Sequence, residues 1–251
     1  MKQIAFVTGA TSGIGKATAL KLAGLNYHLI ITGRRADRLE ELKQQLENKF
    51  TIKVLCLNFD IRNNEATENA INKMDATWRN IDILVNNAGL AAGADPIQDG
   101  LWSDWEQMID TNIKGLLFLS KQIIPLMIQR KKGHIVNVSS VAGKEVYAGG
   151  NVYCATKHAV EAITKGMRID LLKHGIKVTS VAPGMVETEF SIVRFHGDKE
   201  KADNVYKGLT PLFANDIADT IEFVVTRPPH VNINEILVMP TAQASAVYNH
   251  R

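Results

Sequence analysis

Seven short apolar runs, separated by longer stretches of helical period, constrain this chain most. "QIAFVT" (3–8), "YHLIIT" (27–32), "IKVLCLNF" (52–59), "IDILVNN" (81–87), "HIVNVS" (134–139), "IKVTSVAP" (176–183) and "EILVM" (235–239) read as strands. Their near-continuous Val, Ile and Leu suit strands covered on both faces, as in a parallel sheet. Helices are expected over 13–25, 36–47, 64–78, 103–131, 151–173 and 215–226. The alternation predicts an α/β chain, a doubly wound sheet of about seven parallel strands flanked by helices, in a single domain spanning 1–251. With 251 residues, 45% of them hydrophobic, the chain is long enough to bury such a core without staples.

Within that frame, Leu39, Leu42 and Leu46 repeat at helical spacing and should face the sheet. Pro125 is expected to bend the long 103–131 helix or end it early. Residues 184–213 form the longest irregular segment, and they carry Phe190, Val193 and Phe195, too apolar for a plain linker. Such a segment in a compact domain reads as a binding loop or lid. The tail "PTAQASAVYNHR" has no helical period and is expected either to cross to a neighbour or to fray.

Several function classes are disfavoured. A net charge of +3, with no Lys/Arg run beyond three residues, makes no case for nucleic acid. Cys56 and Cys154 show neither C-x-x-C nor metal-ligand spacing, and the seven histidines form no H-E-x-x-H, so no metal is expected. Two free thiols fit a reducing, cytoplasmic setting. The N-terminus lacks a signal-peptide core, and no stretch approaches the ~18 uninterrupted apolar residues of a membrane span.

"TGATSGIG" (8–15) follows the first strand and opens the first helix. Glycines there permit a tight turn and close approach of a pyrophosphate, and the helix start offers free N–H groups. Gly9, Ala10, Thr11, Ser12, Gly13, Ile14 and Gly15 are therefore candidate dinucleotide-binding residues. A triphosphate-binding P-loop is excluded by Ala10 and Ala17, which stand where that motif needs Gly and Ser or Thr. The second strand ends in Gly33, Arg34 and Arg35, where an NAD site normally places an acid. Guanidinium groups grip a 2′-phosphate, so the pair predicts NADP(H). Asp60, with Ile61 beside it at the end of the third strand, suits the adenine amino group or caps the next helix.

In "SSVAGKEVYAGGNVYCATK" (139–157), Tyr153 and Lys157 lie one helical turn apart. A free phenol is ionised about one part in a thousand at pH 7; an adjacent ammonium favours the phenolate, and together with a cationic oxidised nicotinamide it is expected to supply the shift needed. Ser140 stands at a strand end and can hold a substrate oxygen while Tyr153 moves a proton. Ser139 is the adjacent alternative.

The T-G-x-x-x-G-x-G loop, and Ser140 followed thirteen residues later by Tyr153 in Y-x-x-x-K, resemble the signature of the short-chain dehydrogenases/reductases. The thirteen-residue count selects Ser140. The resemblance spans nearly the whole chain and implies a Rossmann-like fold. It implies that "NNAG" (Asn87, Ala88 and Gly89 among it) lines the cofactor, and that Asn112 of "DTNIKG" holds a water linking Lys157 to solvent through a helix break. It also implies that Pro183, Gly184, Val186 and Thr188 border the nicotinamide, beside Tyr153 and Lys157. "TGRRADRLEEL", "YAGGNVYCATK" and "VRFHGDKEKA" resemble in particular the NADP-dependent 3-hydroxy acid dehydrogenases, or serine dehydrogenases. That likeness implies oxidation of L-serine, L-allo-threonine and other 3-hydroxy acids. Ser140, Tyr153 and Arg194, the last for the carboxylate, are then the candidate substrate residues. A broad carbonyl reductase on ketones, aldehydes or acyl thioesters is the alternative, and an NADP(H)-sensing module without turnover is disfavoured by the presence of both Tyr153 and Lys157. Family members are commonly homotetramers built through the helices at 103–131 and 151–173. Leu116, Leu117, Phe118, Ile123 and Ile163 there suit either such an interface or the core.

Overall fold

The structure is a computed structural model describing residues 2–251. One seven-stranded sheet, parallel throughout, organises it: β1 (Ile4–Val7), β2 (His28–Gly33), β3 (Val54–Asn58), β4 (Ile81–Asn86), β5 (Gly133–Val138), β6 (Ile176–Pro183) and β9 (Glu235–Val238). The spatial order is β3-β2-β1-β4-β5-β6-β9. The chain winds outward from β1 in one direction, returns to pair β4 beside β1, and winds outward in the other. A crevice therefore opens beyond the carboxyl ends of β1 and β4, where the connections diverge.

The inner strands β1, β2, β4, β5 and β6 bury both faces. Ala5, Val7, Leu29, Ile31, Val85 and Val136 meet α1 (Gly13–Gly24), α2 (Ala36–Lys49) and α9 (Ala214–Val225) on one side. Phe6, Ile30, Leu84, Ile135 and Val178 meet α3 (Asn64–Asn72), α5 (Leu116–Arg130) and α6 (Asn151–Leu171) on the other. Leu39, Leu42 and Leu46 are all buried against the sheet, as their spacing requires. This alternation of successive side chains between two apolar layers is why the strands read as continuous hydrophobic runs.

Two expectations about helix ends need correction. The third helix stops at Asn72, where Arg79 turns back to donate to the carbonyls of Asn72 and Met74. Residues 73–78 carry no Gly or Pro to announce that stop. Pro125 does not end its helix: α5 continues to Arg130. Pro125 and Lys121 lie on the exposed face, so the carbonyl deprived of its partner faces solvent. The interruption comes earlier, as a π-helical turn at Asp110–Gly115 joining α4 (Trp102–Ile109) to α5. The absent side chain of Gly115 matters there, because a Cβ would stand 3.0 Å from the Ile61 side chain.

The 184–213 segment is also more ordered than its sequence suggests. Short parallel strands β7 (Val186–Glu187) and β8 (Leu212–Phe213) pair and close its base. Between them stand α7 (Phe190–Arg194) and α8 (Lys199–Asn204). The tail packs on its own chain: Arg251 donates to the carbonyls of Asn204, Val205 and Lys207, and Gln243 bridges Asn249.

Candidate active site

A cavity of about 540 Å³ fills the crevice, bounded by the glycine loop, the ends of β2 to β6, and α7. Its floor is made by backbone conformation. Gly9 and Gly13 adopt φ of +65° and +52°, a region L side chains rarely enter. A Cβ on Gly15 would stand 2.3 Å from the Gly9 carbonyl oxygen, so only glycine lets the first helical turn close against the loop. Thr8 locks this loop to the end of β4: its hydroxyl accepts from the amides of Asn87 and Ala88, and the Asn87 amide donates to the Thr8 carbonyl. The Ser12 side chain makes no cap bond, which leaves the first-turn N–H groups of α1 directed at the cavity. Gly9, Thr11, Ser12, Gly13 and Ile14 line the cavity. Ala10 and Gly15 do not: Ala10 is fully buried, its amide bonded to the Thr32 carbonyl, and Gly15 packs beneath Gly9. Their part is to shape the loop.

At the adenosine end, Arg34, Arg35, Asp60 and Ile61 line the rim. Arg35 donates to the hydroxyls of Thr11 and Ser12 at 2.8 and 3.0 Å, and so bends over the glycine loop. Asp60 holds Arg62 through both carboxylate oxygens and lies 3.8 Å from Arg34. Burial pushes its carboxyl up, but the bonds from Arg62 outweigh that and hold it below the usual range. It does not cap α3; Asn63 does, accepting from the Ala66 amide. No carboxylate of β2 faces this rim, and the glycine cradle, the open helix start and the two guanidiniums together fit a phosphorylated dinucleotide.

At the other end, α6 presents Tyr153 and Lys157 on one face, and β5 runs out into Ser139 and Ser140. Ser139 is 3% exposed, and a Cβ on Gly143 would stand 2.7 Å from its hydroxyl, so it turns into the core side. Ser140 opens a 3₁₀ turn, its hydroxyl accepting from the Ala142 amide, and stays half-buried at the cavity wall. Tyr153 is 8% exposed and packs edge-on against Phe190 of α7. The Lys157 ammonium sits 5.9 Å from the Tyr153 ring centre and donates to the Val138 carbonyl at 3.0 Å.

The lysine and the oxidised nicotinamide are expected to favour the phenolate together, and the protein by itself offers only the first. Burial pushes the Tyr153 phenol well above its ordinary value, outweighing the Ser140 hydroxyl and Arg194, which pull it down. Burial likewise lowers the Lys157 ammonium to about 8, against the opposing pull of Glu161. At neutral pH the pair therefore stands as phenol and ammonium, and ionising the phenol needs a further cation in the cavity.

Asn112 does not line the cavity. It occupies the π turn, accepts from the Leu90 amide and donates to the Leu90 carbonyl and the Thr156 hydroxyl. It thereby pins the chain after β4 to the helix bearing Tyr153. A Cβ on Gly89 would meet both its amide oxygen (3.2 Å) and the Lys157 ammonium (3.4 Å). Asn112, Gly89 and Lys157 thus pack as one unit.

The 184–213 segment covers the wall opposite. Pro183, Gly184, Val186, Thr188 and Arg194 all line the cavity. A Cβ on Gly184 would lie 2.4 Å from the Gln243 amide oxygen, which accepts from the Met185 amide; the tail is thus part of the wall. Arg194 is anchored to the Gly93 carbonyl through Nε and donates through Nη1 to the Tyr147 hydroxyl at 3.0 Å. The sequence assigned no role to Tyr147 or Gln243, and placed Phe190 only within an apolar binding loop. The one available signal was the pair Gly149 and Gly150: Gly149 has φ +69°, and a Cβ on Gly150 would stand 2.4 Å from the Tyr147 ring.

Comparison with known proteins agrees with this geometry. Residues 3–198 match the family model described as short chain dehydrogenase. An NADP-dependent 3-hydroxy acid dehydrogenase of Salmonella typhi is 45% identical over 244 residues, covering 97% of each chain. A serine 3-dehydrogenase of Rhizobium radiobacter is 47% identical over 240 residues, 96% of this chain and 94% of the relative. A solved closed form of serine dehydrogenase complexed with NADP+ superposes with a TM-score of 0.94 at 43% identity, covering 99% of this chain and all of that one.

Proposed function

Since the chain belongs to the short-chain dehydrogenase family, we propose that it is an NADP(H)-dependent oxidoreductase interconverting the hydroxyl and carbonyl groups of 3-hydroxy acids such as L-serine and L-allo-threonine. The observation that carries this reading is the single cavity joining the Arg34/Arg35 rim to Tyr153, Lys157 and Arg194. The cofactor, when bound, supplies the hydride acceptor or donor and, oxidised, a positive pyridinium ring. Gly9, Thr11, Ser12, Gly13 and Ile14 cradle its pyrophosphate, Arg34 and Arg35 take its 2′-phosphate, and Asp60 and Ile61 border its adenine. Asn87, Ala88 and Gly89 line its middle, and Pro183 to Thr188 flank the nicotinamide end.

The Ser140 hydroxyl holds the substrate oxygen, and the Tyr153 oxygen takes or gives the proton. Lys157 stabilises the phenolate as it forms, and its fixed bond to Val138 keeps the ammonium from swinging out. Asn112 holds the Lys157 helix in register and, at the π turn, positions a water that links Lys157 to solvent. Arg194, tethered by Gly93 and Tyr147, offers its guanidinium to the substrate carboxylate, the feature that favours hydroxy acids over the neutral carbonyls of the alternative reading. Tyr153→Phe tests the assignment. We expect a loss of at least ~100-fold in kcat, the size of a general acid–base contribution, with NADP+ affinity intact. Full retention of activity would end the mechanism.

Residues 184–213 act as the substrate-covering segment of the one domain, in this reading. The enzyme is cytoplasmic and works as a homotetramer. Leu116 and Ile123 are spent on the core, whereas Trp102, Leu117 and Ile169 lie exposed on α4, α5 and α6 and are available to a second copy. Light scattering on the purified enzyme checks that mass.

A further inference from the structure

Glu189, the residue before α7, reaches across to the adenosine rim. One carboxylate oxygen accepts from Arg35 Nη1 at 2.8 Å and the other from Arg38 Nη1 at 2.6 Å. Arg35 is a candidate 2′-phosphate ligand; Arg38, in the first turn of α2, was not singled out by any motif. Burial pushes the Glu189 carboxyl up, but its bonds to Arg35 and Arg38 prevail and keep it below the usual carboxylate range, so it is an anion at neutral pH. The next residues toward the active site touch the cofactor floor directly: a Cβ on Gly13 would stand 3.2 Å from the Thr188 methyl. Directly after Glu189, α7 carries Phe190 against Tyr153 and, at its end, Arg194 against Tyr147.

A carboxylate and a phosphate dianion cannot both keep these guanidiniums without repelling each other at close range. From this geometry we propose that Glu189 couples the two ends of the cleft: it occupies Arg35 and Arg38 in place of the cofactor's 2′-phosphate, and its displacement frees the base of α7. Arg38 is on this view a third guanidinium for the 2′-phosphate. The cofactor binds first, and its 2′-phosphate, absent from NAD(H), is what unlocks the segment bearing Phe190 and Arg194. This inference rests on the NADP(H) assignment above.

The test uses the full-length enzyme. Calorimetry compares NADP+ and NAD+ binding to wild type and Glu189→Gln, an isosteric change at a 44%-exposed side chain. Hydrogen exchange follows the amides of 190–194 with and without 2′,5′-ADP, which carries the phosphate but no nicotinamide. The variant should bind NADP+ about three- to tenfold tighter, the size of two exposed ion pairs, with NAD+ affinity unchanged. 2′,5′-ADP should raise exchange of 190–194 in wild type and leave it unaltered, already raised, in the variant. Weaker or equal NADP+ binding by the variant, or no exchange response in wild type, overturns the proposal; weaker binding would mean that Glu189 clamps the bound cofactor instead. A wild type that does not prefer NADP+ to NAD+ would instead refute the cofactor assignment.

Discussion

The glycine-loop end of the cleft and the Arg194 end are built by different means. The first is shaped by backbone: positive φ at Gly9 and Gly13, a Gly15 with no room for a methyl, and a Thr8 hydroxyl that takes two amides at once. The second is shaped by long side chains meeting across the chain, Arg194 with Tyr147 at a separation of 47 residues and with Gly93 at 101. Backbone shape tolerates almost no substitution, because nothing can move aside. A side-chain cluster yields by degrees, and so can be tuned to a substrate.

The largest expected effect tests that contrast at its rigid end. Gly15→Ala drives a methyl into the Gly9 carbonyl and the Asn87 amide, which stand 2.3 and 2.5 Å from the Cβ position. Overpacking of this kind costs about 1–3 kcal/mol, and the loop must shift. Thermal unfolding should fall accordingly and dinucleotide binding should be lost in titration calorimetry. A variant that binds NADP+ as wild type would show that the loop is less constrained than its contacts imply.

Arg194→Ala tests the adaptable end. We expect kcat/KM for 3-hydroxy acids to fall roughly thirtyfold or more, as when one partner of a desolvated charge pair is removed, with little change for a small neutral alcohol. Equal losses on both substrates would make Arg194 a fold contact through Tyr147 and not a carboxylate ligand.

The smallest effect lies between the two ends, at Lys157. Its ammonium titrates at about 8 when folded, against 10.5 when free. Between those values the unfolded chain binds the extra proton, so this group's contribution to stability rises with pH across that window. It is most unfavourable below about pH 8. Any stability advantage of Lys157→Met over wild type should therefore be larger at pH 7 than at pH 10, read by denaturant titration at both. An advantage that grew with pH would contradict the burial of the charged group.

The same division explains what could be read in advance. The strand runs, the Leu39/Leu42/Leu46 face and the strand–loop–helix setting of "TGATSGIG" are local patterns, legible because a period or a glycine spacing is itself the structural cause. The Asn72 helix stop was not legible: the Asn72 carbonyl is met by Arg79, a side chain reaching back, with no breaker residue between. Nor was the continuation through Pro125, since only the packing reveals that its face is open to solvent. Ala10 and Gly15 sit inside a legible motif, yet whether each lines the cavity or supports it depends on the third dimension.

By itself the order of residues determined a parallel α/β sheet, a dinucleotide loop without an acid at the end of β2, and a tyrosine and a lysine one turn apart. Those features follow from periodicities and spacings within a few residues of chain. Only the tertiary structure decided that Glu189 meets Arg35 and Arg38, and that Tyr147 and Gln243 complete the wall. It also decided that burial outweighs Ser140 and Arg194 at the Tyr153 phenol. Contacts between distant segments, and the loss of water around a charge, exist only once the chain has closed around them.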